Sequence, residues 1–439
     1  MTAMTLPLVC NQCEQTARGE GCQINGTAGV CGKDKDVESL QQVLLYGLKG
    51  MAAYAHHARR LGQSDEDVSA FIEEALFSTM TNVNFDVPTL LELVLECGRK
   101  NLRVMQMLDE GHVQSFGKPS PTTVQEGTQA GPGILVTGHD LLDLKRLLEQ
   151  CEGTDVKVYT HGEMLPAHMY PELREHPNLA GQYGSAWQKQ KAEFDRFPGP
   201  IIATTNCVLI PRESYKDRLF TTRATAVPGG TRLSGEDFSQ VIAMAQQGPP
   251  CEENLTGESV IGFHHSVILE KAGAIVEAVK AGQISRFFLI GGCDGAEPGR
   301  NYYSRFAQAV PEDAFILTLG CGKYRIREHP YGEHLGLPRL MDMGQCNDAY
   351  GAIQVAVALA QALDCEVRDL PLSIVLSWFE QKAVAVLLTL LALDVKGIRI
   401  GPAAPAFITP NVLEALQDKF DLNLIGNDPE GDVQTAMGA

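Results

Sequence analysis

Side chains that coordinate metals recur at one kind of place in this sequence, just after a short apolar run. They are His139 after GILVTG, Glu163 after VKVYTHG, Cys207 after PIIATTN, Cys293 after RFFLIGG, Cys321 after AFILTLG, Cys346 after RLMDMGQ and Glu380 after SIVLSWF. The runs read as buried strands, and in open parallel sheets the carboxyl ends share one edge, where ligands bind in the crevice. A single Cys or His after a strand is ordinarily core filling. Repetition at equivalent positions, with thiolate, imidazole and carboxylate all represented, is hard to ascribe to packing. A mixed soft and hard donor set suits an iron cluster with sulfide and oxygen bridges better than a zinc ion, which takes four ligands.

A second group lies near the start. Cys10, Cys13, Cys22 and Cys31 follow a Cys-x2-Cys-x8-Cys-x8-Cys pattern in a segment rich in Gly, Asn and Gln. Four closely spaced cysteines in a loop can wrap a tetrahedral zinc or a cubane-type iron–sulfur cluster. The remaining thiols take no role: Cys97 reads as packing within a helix, Cys251 in QQGPPCEEN as a loop thiol, and Cys151 and Cys365 stay unassigned. His161 either orients Glu163 or fills a turn, and His264 and His265 open a helix.

These side chains need elements to position them. Residues 37–110 show helical periodicity: Leu40, Val43, Leu44, Leu48, Met51 and Ala55 share one face. Val68, Phe71, Ile72, Ala75 and Phe77 suggest a second helix capped by Ser64, and a third starts at Pro88 with Leu91, Val94, Leu95, Gly98, Leu102 and Met105 inward. Such helices with short connections make a bundle. From about Ile134 short apolar runs alternate with helical stretches, the pattern of βαβ units, with a further run, GIRIGP, near 397. The expected architecture is multidomain α/β: a Cys-rich loop and three-helix bundle over 1–125, then two doubly wound, Rossmann-like parallel α/β domains over 126–256 and 257–439.

The chain has 439 residues, 44% hydrophobic and 21% charged, enough apolar material for two or three cored domains. A net charge of −18 opposes attraction to phosphate backbones and anionic lipid, so neither nucleic acid nor membrane is an expected partner. The apolar stretch Ala383 to Leu393 is about half of what a bilayer crossing requires. No secretory signal is evident at the N-terminus, so the expected location is cytoplasmic, where cysteines stay reduced and serve metals or redox chemistry rather than disulfides. No convincing GxGxxG occurs between a strand and a helix, so no nicotinamide or flavin site is expected.

GHDL at 138, YTHGEMLPA at 159, TTNC at 204, GGCDG at 291, GCGKYR at 320, GQCND at 344 and SWFEQKAVAVLL at 377 together resemble the hybrid cluster protein family, also called prismane proteins or hydroxylamine reductases. The likeness runs from Cys10 essentially to the C-terminus. It implies a 4Fe-4S cluster on Cys10, Cys13, Cys22 and Cys31 as electron entry point. It also implies a hybrid 4Fe-2S-2O cluster on His139, Glu163, Cys207, Cys293, Cys321, Cys346 and Glu380, with Cys293 as a persulfide. Glu380, Lys382 and Cys293 are then the catalytic residues, Glu380 or Lys382 supplying protons. The implied activity is reduction of hydroxylamine to ammonia and water, of nitric oxide, or of both, with a redox partner such as a ferredoxin or a flavin-containing NADH-dependent reductase. Rival readings are a non-enzymatic nitric oxide responder that passes nitrosyl groups to thiols, and an electron carrier. A carbon monoxide dehydrogenase activity is set aside, because that nickel–iron site uses a different ligand set. Two departures stand out. A single bundle fits between Cys31 and the first strand, as in a short class of the family, and the final x8 spacing exceeds that of the cubane-binding members.

Overall fold

The apolar runs that precede the donor residues all form strands, because their β-branched and aromatic residues are shielded on both faces, as parallel strands require. The computed structural model describes residues 9, 10, 12, 13, 22, 23 and 31–438. These divide into two compact units, one of Met1–Leu108, Val367–Asp369 and Ser373–Asn427, the other of Asp109–Glu366, Leu370–Leu372 and Asp428–Ala439. The expected α/β class, with a helical N-terminal region and parallel sheets, is what the chain adopts. Among the described residues no helix is long and apolar enough to cross a membrane.

In the first unit, helix Lys35–Arg60 starts at Asp34, whose carboxylate accepts the Val37 N–H at 2.9 Å. It buries Leu40, Val43, Leu44, Leu48 and Met51. Helix Glu66–Ser78 buries Val68, Phe71 and Ala75. Two details differ from expectation. Its cap is Asp65 rather than Ser64, since the Asp65 carboxylate reaches two backbone N–H groups, and Phe77 points outward, 59% exposed. The third helix spans Val87–Phe116, with Val94, Cys97 and Met105 fully shielded. Close approach to a fourth helix, Gln381–Ala392, is set by glycines: a Cβ on Gly50 would lie 2.4 Å from the Gln381 carbonyl oxygen, and one on Gly98 2.1 Å from that of Leu388. Thr389 seals this contact by donating to the Gly98 carbonyl at 3.0 Å and accepting from Asn101 at 3.0 Å. Strands Leu372–Ser377, Arg399–Gly401 and Asn423–Leu424 form a parallel ladder leading to this helix.

The second unit holds an eight-stranded sheet in the order Asn254–Ile261, Thr122–Thr128, Leu179–Gln182, Lys157–His161, Gly133–Thr137, Ile201–Ala203, Leu219–Thr221, Thr231–Arg232. Its first pair is antiparallel and the rest are parallel. A further parallel ladder runs Leu340–Asp342, Phe315–Gly320, Phe287–Gly292. The core under the first sheet gathers Leu135, Tyr159, Phe194, Phe197, Ile201, Tyr215 and Cys251. Cys251 is thus a core residue and not a loop thiol: it bridges Gly131 through the backbone, and burial pushes its thiol up to about 11.

Candidate metal centre

In the second unit, each strand end delivers its donor by a turn that only particular residues allow. Gly138 takes φ +110° between strand Gly133–Thr137 and His139, and a Cβ there would lie 2.4 Å from the Thr204 hydroxyl. Strand Lys157–His161 passes straight into the 3₁₀ turn Gly162–Met169, which carries Glu163. Cys207 stands in the left-handed region at φ +62°, a conformation a non-glycine residue rarely holds without outside support. Cys293 and Cys321 each follow directly on their strands, Phe287–Gly292 and Phe315–Gly320. Cys346 opens the short turn Cys346–Asp348.

Three of these donors are drawn together. His139 Nε2 lies 3.0 Å from Glu163 Oε2, the Cys346 backbone N–H donates to that same oxygen at 3.0 Å, and the ligand atoms of His139, Glu163 and Cys346 all lie within 4.8 Å of one another. All three side chains are buried. His139 Nδ1 is 2.8 Å from the Thr205 hydroxyl, which orients the ring. Gln345 donates to the carbonyls of His139 at 3.2 Å and Glu163 at 2.7 Å, tying the turn before Cys346 to both other donors.

The other thiols join through Cys321. Burial pushes its thiol well above the ordinary value, and the negative charges of Glu163, Cys207 and Cys293 push it further the same way. A Cβ on Gly320 would lie 3.0 Å from Glu163 Oε1, so the strand end carrying Cys321 comes directly against that carboxylate. Six of the seven expected donors therefore occupy one neighbourhood in this unit. Thiols and a carboxylate buried side by side resist ionising together, and a cationic centre would reverse the sign of these interactions. The donor set fits a polynuclear iron centre.

The seventh donor, Glu380, belongs to the first unit. It caps helix Gln381–Ala392, its carboxylate accepting the Lys382 N–H at 3.1 Å. The Lys382 ammonium, on a side chain that is almost wholly buried, is 3.9 Å from Glu380 Oε1 and 5.7 Å from the Tyr54 ring centre. Also in this unit, strands Val9–Cys10 and Cys22–Gln23 pair antiparallel with Cys10 directly opposite Cys22. Lys33, buried between Glu38 at 2.9 Å and Gln41 at 2.7 Å, sits 3.9 Å from Cys10 Sγ. Burial raises the Cys10 thiol, and the Glu38 charge adds to that, while the Gln12 backbone N–H and Lys33 act against it. Cys13 is half-buried and Cys31 exposed.

Some residues at the second unit's site carry no sequence signal of their own. Trp187 and Gln188 both donate to the Cys293 carbonyl at 3.0 Å, and Gln190 donates to the Cys207 carbonyl at 2.5 Å. Trp187 and Gln188 lie in the short turn Trp187–Lys189 and Gln190 opens the helix that follows it; their only advance mark is that Trp187 is one of two tryptophans in the chain. His161 takes the filling role: its ring bonds Thr137 at 3.1 Å and Glu193 at 2.9 Å. His264 opens helix His265–Leu269 as expected and, with His265, bonds Asp109, a second cluster of potential ligands in the same unit.

The fold and donor set define an α/β metal-centre protein. The chain belongs to the Prismane/CO dehydrogenase family, whose model matches residues 8–94 and 87–434. It is 59% identical over 431 residues to the hydroxylamine reductase of Moorella thermoacetica, covering 98% of this chain and 100% of that one. With the hydroxylamine reductase of Zymomonas mobilis it shares 52% identity over 405 residues, covering 92% of this chain and 74% of the longer relative. Carbon monoxide dehydrogenase IV from Carboxydothermus hydrogenoformans has the same fold at a TM-score of 0.79, with 15% identity, covering 98% of this chain and 92% of that one.

Proposed function

We propose that the protein is an iron–sulfur oxidoreductase that reduces hydroxylamine to ammonia and water. One observation carries the reading: imidazole, carboxylate and four thiols from separate strand ends converge around Glu163 and Cys321 in the second unit. The full-length likeness to proteins named hydroxylamine reductase supports the substrate. His139, Glu163, Cys207, Cys293, Cys321 and Cys346 would hold a hybrid 4Fe-2S-2O cluster, with Cys293 as a persulfide. Cys10, Cys13, Cys22 and Cys31 would hold a 4Fe-4S cluster that receives electrons.

When bound, the hybrid cluster supplies electrons and an open iron to a small nitrogenous ligand. In the net reaction the N–O bond breaks, two electrons and two protons are taken up, and ammonia and water leave. The chain's own contribution is positioning and protons. Thr205 fixes the His139 ring, and Gln345 locks the backbone of His139 and Glu163 to the turn that bears Cys346. Lys382, confined by burial beside Glu380 and Tyr54, is the residue proposed to hold a proton. Anaerobic protein supplied with a low-potential reductant and hydroxylamine should release ammonia over many turnovers. Consumption that halts after one equivalent would refute the proposal.

A further inference from the structure

The segment that holds the Cys293 and Cys207 carbonyls has one polar atom the fold does not use. Because the Cys293 carbonyl oxygen can only accept, the Gln188 amide must present its nitrogen to it, which leaves Oε1 facing away. That oxygen is buried and has no hydrogen-bond partner among the described residues. Buried acceptors are ordinarily satisfied, so an orphan beside a reactive site marks a place for a donor. Gln190, two residues on, provides the contrast: its Nε2 serves the Cys207 carbonyl and its Oε1 accepts the Leu209 N–H at 3.2 Å, so both ends of that amide are occupied. The neighbouring Trp187 reaches both sides, donating its indole N–H to the Cys293 carbonyl and its backbone N–H to Cys321. The orphaned oxygen therefore lies beside the end of the strand that carries Cys293.

We propose that Gln188 is a specificity-determining residue, its amide oxygen accepting a hydrogen bond from a protic nitrogenous substrate beside Cys293. Hydroxylamine offers N–H and O–H donors, whereas nitric oxide offers none, so this acceptor favours the first and is indifferent to the second. The inference rests on the function proposed above.

The test compares affinities for hydroxylamine and nitric oxide by spectroscopic titration of the reduced, cluster-loaded protein, with steady-state kinetics alongside. Gln188→Met, close in shape but lacking the amide, should weaken hydroxylamine binding and raise its KM by about tenfold, the loss of one hydrogen bond. Nitric oxide affinity and kcat should stay within about threefold, and the electron paramagnetic resonance spectrum should match the wild type. Gln188→Ala should show the same selective loss, which keeps the test alive if Met packs poorly. Trp187→Phe removes the other side-chain donor to the Cys293 carbonyl and should leave the ratio of the two affinities unchanged. An unchanged ratio in both Gln188 variants, or an equal change in Trp187→Phe, would overturn the assignment. Lack of hydroxylamine turnover by the wild type would instead refute the function on which it rests.

Discussion

His139 Nε2 and Glu163 Oε2 lie 3.0 Å apart, both buried, at the ends of neighbouring parallel strands. The Cys346 N–H converges on that same carboxylate oxygen. A buried carboxylate held by an imidazole, a backbone amide and a backbone locked by Gln345 is rigid before any metal arrives, which is what a site of uneven ligands requires.

Glu163→Gln keeps the shape of the side chain but loses its charge. We expect iron and sulfide analysis of the anaerobic protein to show loss or remodelling of the hybrid centre, with the signal of the N-terminal cluster intact. Cys13→Ala should do the reverse. A Glu163→Gln protein with both spectra unaltered would count against Glu163 as a ligand.

Gln345→Leu strands two buried carbonyls, those of His139 and Glu163. Each unsatisfied group costs about 1–3 kcal/mol, so the midpoint of denaturant unfolding should fall clearly. An unchanged midpoint would mean these bonds hold nothing in place.

Gly98→Ala places a methyl against the Leu388 carbonyl, 2.1 Å away before relaxation. Separation of helices Val87–Phe116 and Gln381–Ala392 should cost about 1–3 kcal/mol or more. It should also disturb the helix start where Glu380 and Lys382 sit. Full stability in this variant, read by thermal unfolding, would contradict the packing described.

His168, in the turn that also carries Glu163, supplies a pH test. Burial lowers its pKa from 6.5 to about 4, and its ring bonds the Thr160 hydroxyl at 3.0 Å. The neutral form is the native one, so the unfolded chain takes up the proton first as pH falls. The stability this neutrality contributes is complete above about 6.5, is lost between 6.5 and 4, and amounts to roughly 3 kcal/mol. Urea unfolding of His168→Gln should show a flatter profile across that window than the wild type. Identical slopes would refute the assignment.

Much of this arrangement can be read from the linear chain. The runs from GILVT to FILTLG are mostly apolar, because strands covered on both faces favour apolar side chains, and a donor after each is visible without coordinates. The antiparallel pair Thr122–Thr128 and Asn254–Ile261 is not visible in this way. Its residues are polar, threonine-rich and interrupted by Gly127 and Gly257, and the pairing joins segments some 130 residues apart. Cys251 is hidden by its company: prolines and glutamates around it suggest a loop, yet its backbone bridge to Gly131 carries the side chain into the core. Trp187, Gln188 and Gln190 escape notice because their work is done on backbone carbonyls, for which no spacing rule exists.

If the proposal holds, the strand-end donors of the second unit hold a single iron centre. Anomalous diffraction at the iron edge from anaerobically grown crystals tests it most directly. The expected result is a group of iron peaks bounded by His139, Glu163, Cys207, Cys293, Cys321 and Cys346, and a separate one at Cys10, Cys13, Cys22 and Cys31. Iron at the N-terminal cysteines alone, with His139 and Glu163 still in contact, would contradict it.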